Sequence, residues 1–204
     1  MSWSAWLSLL AICCLGAMSP GPSLAMIVRH SLGGSRLHGV ICAWAHAMGI
    51  GIYALVTLLG LAVVLQQAPT VFQAITLTGA LYLAWIGFQA LRAKGGMQQK
   101  LAAGEKTSLW VAARDGFAIS IFNPKIMLFF LALFSQFVGS ADSFVGKGLI
   151  VTTPLVIDGL WYTVIAVMLS HPNVLNRLRE KASLIDTLSG IVLIALALRV
   201  VVTL

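Results

Sequence analysis

Apolar runs long enough to cross a bilayer follow one another along almost the whole chain. Six can be read, at about 3–28, 38–65, 70–91, 116–138, 148–169 and 184–203. A transmembrane helix needs about 20 mainly apolar residues, so a chain of 204 residues is filled by six such helices and short loops. Charge is too scarce for the alternative. Only 9% of residues are Asp, Glu, Lys or Arg, against about 25% in soluble domains, and the mean hydropathy is +0.96. A water-soluble fold is excluded. The expected class is an all-α integral membrane protein forming one domain over 1–204. Residues 1–18 are apolar with no Lys or Arg before them, so they read as a retained first helix rather than a secretory signal, which needs a basic start.

The net charge of +7 is assigned to basic cytoplasmic loops rather than to nucleic-acid binding. One side of the membrane receives Arg29, Arg36, Arg92, Lys94, Lys100, Lys106, Arg114, Arg177, Arg179 and Lys181, and the other receives Lys147 and Arg199. That ten-to-two split places the first group in the cytoplasm and both termini in the periplasm of a bacterial inner membrane. The longest polar stretch, about 93–114 with Gly95, Gly96 and Gly104 as breakers, is then a cytoplasmic linker. Cys13, Cys14 and Cys42 all sit in apolar runs without a C-x-x-C spacing. They read as packing residues, and neither a metal nor a cofactor is expected. No G-x-x-x-G occurs, so that pairing signal is absent, although self-association stays open.

Two spans are interrupted. The first breaks at Ser19-Pro20-Gly21-Pro22 and the fourth at Asn123-Pro124-Lys125. The residue before proline is driven out of the α region, Ser and Asn are good N-caps, and proline suits the first helical position. Each break therefore ends one half-helix and begins another. Arg29 lies ten residues after Ser19, and Gly116 seven before Asn123. At 1.5 Å per residue both breaks fall roughly 10–15 Å from the cytoplasmic edge, near the midplane of a core of about 30 Å. The two new half-helices run in opposite directions from that level. Their positive ends and free N–H groups would converge on an anion such as a carboxylate. Spans three and six also open alike, at Thr78-Gly79-Ala80 and Ser189-Gly190-Ile191. Residues 1–92 and 115–204 thus read as two copies of a three-helix unit, inverted because three is odd, with helices one and four broken. That is an architecture of secondary transporters, whose sites lie where the repeats meet.

Ionisable residues inside spans are costly and mark function. Lys125, one residue past the second break, would bind an anionic group or pair with Asp158. Asp158 is the one acid well inside a span. It reads as a proton carrier, an amine ligand, or the structural partner of Lys125. His46, in span two, reads as a proton relay or substrate contact, or as a hydrogen-bonded packing residue. His30, His38 and His171 sit at span ends and carry no signal. Trp3, Trp6 and Tyr162 read as interface anchors.

Three motifs together resemble the lysine-exporter (LysE/RhtB) family of bacterial amino-acid exporters. They are Ala17-Met18-Ser19-Pro20-Gly21-Pro22, Phe122-Asn123-Pro124-Lys125-Ile126 and Gly79-Ala80-Leu81-Tyr82-Leu83-Ala84-Trp85-Ile86-Gly87. The resemblance implies efflux of small amino acids or their derivatives from the cytoplasm, driven by the proton gradient, and no enzymatic activity. Many members of that family carry Asp or Asn after P-G-P, where this chain has Ser23, which leaves the substrate open among threonine, homoserine, branched-chain, cysteine-like and basic amino acids. The expected substrate-binding residues are Ser19, Pro20, Gly21, Pro22, Ser23, Asn123, Pro124 and Lys125, with Asp158 and His46 coupling protons. The partners are an amino acid, protons and the bilayer. Rival readings are a channel, an intramembrane hydrolase using His46 with Ser19 or Ser23, and a redox carrier. The last fits badly, because adjacent Cys13 and Cys14 point about 100° apart on a helix.

Overall fold

The computed structural model describes residues 1–19, 21–92, 107–138, 143–169 and 182–203. Among them the regular structure is all helix: α1 (Trp3–Met18), α2 (Pro22–Gly33), α3 (Arg36–Gln67), α4 (Pro69–Arg92), α5 (Leu109–Phe122), α6 (Pro124–Phe137), α7 (Phe144–Met168) and α8 (Ala182–Thr203). Hydroxyl and amide caps set several starts. Ser2, Ser108 and Ser143 accept from the backbone N–H of Ala5, Val111 and Gly146, and Asn123 accepts from that of Lys125. These bonds satisfy N–H groups that have no partner inside a helix.

By length and composition α3, α4 and α7 can each cross a membrane, and the pairs α1–α2 and α5–α6 each qualify as one broken span, giving up to five. The bends are 59° and 54°, at the two proline breaks expected from the sequence. One boundary differs. The helix before Asn123 starts at Leu109, seven residues ahead of the apolar run, so 109–114 is helix rather than linker. The cap at Ser108 explains the early start. The expected breakers Gly95, Gly96 and Gly104, the basic residues Lys94, Lys100, Lys106, Arg177, Arg179 and Lys181, and His171 lie outside the described residues.

Hydrogen bonds between elements define two ends of the bundle. At one end His30 on α2 meets Thr107 and Asp115, and His38 on α3 donates to the carbonyl of Thr107 at 2.9 Å. The end of α2 and the starts of α3 and α5 therefore lie together, with Arg29, Arg36 and Arg114 nearby in sequence; this is the basic end. At the other end the indole N–H of Trp6 on α1 donates to Thr153 on α7 at 3.2 Å.

Helix α3 is the hub, packed against α2, α5 and α7, while α4 pairs with α8. Between membrane helices there is little hydrophobic drive, so small residues that allow close approach hold the seams. A Cβ on Gly116 of α5 would lie 2.3 Å from the carbonyl oxygen of Cys42 on α3, and the neighbour is backbone that cannot step aside. Gly87 and Gly190 do the same for α4 and α8, each facing the other's carbonyl. Large apolar side chains such as Leu81, Trp85 and Phe144 face outward, whereas Ser23, His46, Asn123 and Asp158 are buried. That is the distribution expected where lipid is the surroundings.

Gly116→Ala should lower the thermal stability of the detergent-purified protein by about 1–3 kcal/mol through overpacking. Gly60→Ala should not lower it, because nothing lies within 4 Å of an added Cβ there and alanine is the better helix former. Equal melting temperatures for the two variants would contradict the close α3–α5 seam.

Candidate functional site

Both broken elements resume with proline in the first helical turn, but the two breaks are capped differently. Asn123 is the N-cap of α6, as its sequence position implies, and its side-chain oxygen takes the N–H of Lys125 at 3.0 Å. Ser19 is not the N-cap of α2. It closes α1 as a C-cap, its own N–H returning to the carbonyls of Leu15 and Gly16. Gly21 takes the N-cap of α2 without a side-chain bond, and Pro22 follows inside the first turn. The second proline decides this, since its fixed φ suits the first helical position. Of the donors opening α6, the N–H of Lys125 is taken by Asn123, whereas Gly21 has no side chain with which to take those opening α2.

Lys125 then reaches across from α6 to the broken end of α1. Its ammonium donates to the carbonyl of Ser19 at 3.1 Å and to the Ser19 hydroxyl at 2.7 Å. A cation on the last carbonyls of a helix is favoured by the helix dipole. One side chain thus ties the two breaks together.

A second group of polar residues lies beside them. His46 on α3 bonds Asp158 on α7 through Nδ1 at 2.6 Å and Ser23 on α2 through Nε2 at 2.9 Å. Asn123 donates its amide to the Ser23 hydroxyl at 3.4 Å, and Tyr162 on α7 lines the same space. With Asp158 as a carboxylate and His46 neutral, the donors and acceptors fall in one order. A carboxylate only accepts, so Nδ1–H of His46 points at Asp158. Nε2 is then an acceptor, and Ser23 donates its hydroxyl proton to it.

The two groups line one cavity. Its walls include Ser19, Gly21, Ser23, Asn123, Lys125, His46 and Asp158, so seven of the residues singled out from the sequence meet around one space. Pro22 starts α2 outside the lining, Pro124 starts α6, and Pro20 lies outside the described residues. Tyr162 is not an interface anchor. It is 3% exposed and faces this cavity, its ring edge-on to His46 at 5.4 Å. Its place one helical turn after Asp158 was the available signal. A second polar cluster lies at the basic end. His30 Nε2 bonds Asp115 at 3.2 Å, and Arg114 grips the other oxygen of that carboxylate at 2.9 Å. The partners are 85 residues apart in sequence, so no local spacing announces them.

Buried charge around a shared cavity at two helix breaks defines a class, the solute-carrying helical membrane proteins. Comparison with known proteins gives the family. The family described as LysE type translocator matches residues 14–204, and the chain belongs to it. It is similar to the threonine efflux protein of Escherichia coli (strain K12), 27% identical over 176 residues, 85% of each chain. It is also similar to the leucine efflux protein of Enterobacter sp. (strain 638), 26% identical over 144 residues, 70% of this chain and 68% of the relative. No solved structure matches. Ser23, His46 and Asp158 stand in the order of a hydrolytic triad, but membership in a family of translocators makes this a transporter and not an enzyme.

His46→Leu should lower stability by about 3 kcal/mol, since it strands a buried carboxylate and a buried hydroxyl. His46→Gln, which keeps a donor and an acceptor, should lose less. Equal stability of the leucine variant and the wild type in thermal unfolding would contradict the bonding described.

Proposed function

We propose that the chain is a secondary transporter that exports small neutral amino acids from the cytoplasm in exchange for protons. The observation that carries this is an ammonium, Lys125, and a carboxylate, Asp158, on the wall of one cavity. An amino acid at neutral pH presents the complementary pair. Its carboxylate takes the place of Ser19 on Lys125, aided by the uncapped N–H groups opening α2. Its ammonium meets Asp158. Efflux of threonine and of leucine by the two relatives is consistent with a neutral substrate.

Exchange follows from competition. Asp158 holds either a proton or the substrate ammonium, because protonation removes the charge that attracts the ammonium. An acidic outer side protonates Asp158 and expels the substrate; a more alkaline cytoplasm deprotonates it and lets another bind. His46 positions the carboxylate and, with Ser23, offers a hydrogen-bonded path for the proton.

The 1–204 domain is then six spans in two inverted repeats. Three features support this. The breaks bend by similar angles, 59° and 54°. The helices that would be equivalent in the two copies pack on each other, α3 on α7 and α4 on α8. The 22 residues of α8 reach about 33 Å at 1.5 Å per residue, enough for a sixth span. With the basic end in the cytoplasm of a bacterial cell, both termini are periplasmic.

Asp158→Asn should abolish export against a gradient and weaken substrate binding by about tenfold or more, the worth of a charged hydrogen bond. Uphill export with unchanged pH dependence would make Asp158 structural. A C-terminal reporter that works only in the periplasm should be active, and activity of a cytoplasm-only reporter there would reverse the orientation.

A further inference from the structure

The cavity is polar on one side and apolar on the other, and helix directions show which side is which. Helix α1 runs from the Trp6–Thr153 end toward its break, so Cys13 lies on that end's side of Ser19. Helix α3 runs the opposite way, so Ile50 is one turn beyond His46 toward the same end. Helix α6 leaves its break in that direction too, carrying Ile126, Phe129 and Phe130. Helix α7 starts at that end, so Pro154 precedes Asp158 by one turn. All six line the cavity. Ser23 and Tyr162 lie on the basic side of the breaks, with the polar network.

Neighbours hold this wall in place. Phe129 and Phe130 meet edge to face at 5.6 Å, and Phe130 meets Phe134 at 5.1 Å. Gly16 makes room for the Phe129 ring, since a Cβ there would sit 2.6 Å from it. Among the described lining residues, Lys125 and Asp158 are the lysine and the carboxylate present, and the wall itself adds no charge.

We infer that this wall is the side-chain subsite, and that the chain selects neutral amino acids with apolar side chains over those with charged ones. The inference rests on the proposal that the cavity binds an amino acid. With carboxylate and ammonium held at the polar side, the side chain points at Cys13, Ile50, Ile126, Phe129, Phe130 and Pro154. An apolar side chain exchanges water for these contacts. The charge of a lysine or glutamate side chain meets no opposite charge there and loses its hydration. Ile126 and Ile50 then set the fit to a branched side chain, because a missing methylene in such a pocket is worth tenfold or more.

The test is counterflow into proteoliposomes of the purified full-length protein, with leucine, methionine, alanine, lysine and glutamate at equal concentration. Leucine and methionine should exchange at least about tenfold faster than lysine and glutamate. Ile126→Ala and Ile50→Ala should each reduce the preference for leucine over alanine by about tenfold, and Ile126→Val should largely keep it. Exchange of lysine or glutamate as fast as leucine overturns the inference while leaving amino-acid transport standing. So does an unchanged leucine-to-alanine ratio in both alanine variants. If a monodisperse wild-type protein exchanges none of the five, the transport proposal fails and the inference with it.

Discussion

A carboxylate held among apolar helices has to be satisfied, and the interior is arranged around that need. Asp158 shares a 2.6 Å hydrogen bond with His46, and His46 in turn shares one with Ser23. These three residues come from α7, α3 and α2, so one chain of hydrogen bonds fixes the relative positions of three helices. Low-dielectric surroundings make such bonds stronger and their loss more damaging. Close seams of small residues complete the arrangement. Gly116 lets α5 approach the backbone of α3, which carries His46.

The proline breaks supply what continuous helices could not. A straight helix consumes its own N–H and C=O groups, leaving side chains alone to meet a polar solute. Breaking α1 from α2 exposes the carbonyl end of one and the N–H end of the other beside the cavity. The structure uses the carbonyl end to hold Lys125, through Ser19. Under the proposed binding mode, a substrate carboxylate that draws Lys125 away would release the cap on α1 and join binding to a change at the break.

Much of this was legible in the sequence because bilayers impose simple constraints. Apolar length marks the spans, and X-Pro pairs mark the breaks. Lys125, Asp158 and His46 stand out because charge and imidazole are rare in such runs. What was not legible depends on three-dimensional partners. Ser19 before Pro20 satisfies the N-cap pattern, yet Pro22 two residues later shifts the helix start and leaves Ser19 as a C-cap. Tyr162 fits the pattern of an interface anchor until α7 is seen to turn it toward the cavity. His30 and Asp115 look like ordinary span-end residues, and only the packing of α2 on α5 joins them. Likewise the apolar wall draws on four helices whose contributions look like any other membrane-facing residues in one dimension.

The central claim is that an amino acid lies between Lys125 and Asp158, and the position of a bound substrate tests it most directly. A structure of the protein with a transported amino acid should place the substrate carboxylate about 2.8 Å from the Lys125 ammonium and its amino group at similar range from Asp158. An amino acid found elsewhere, or seated here with its ammonium turned away from Asp158, would contradict it.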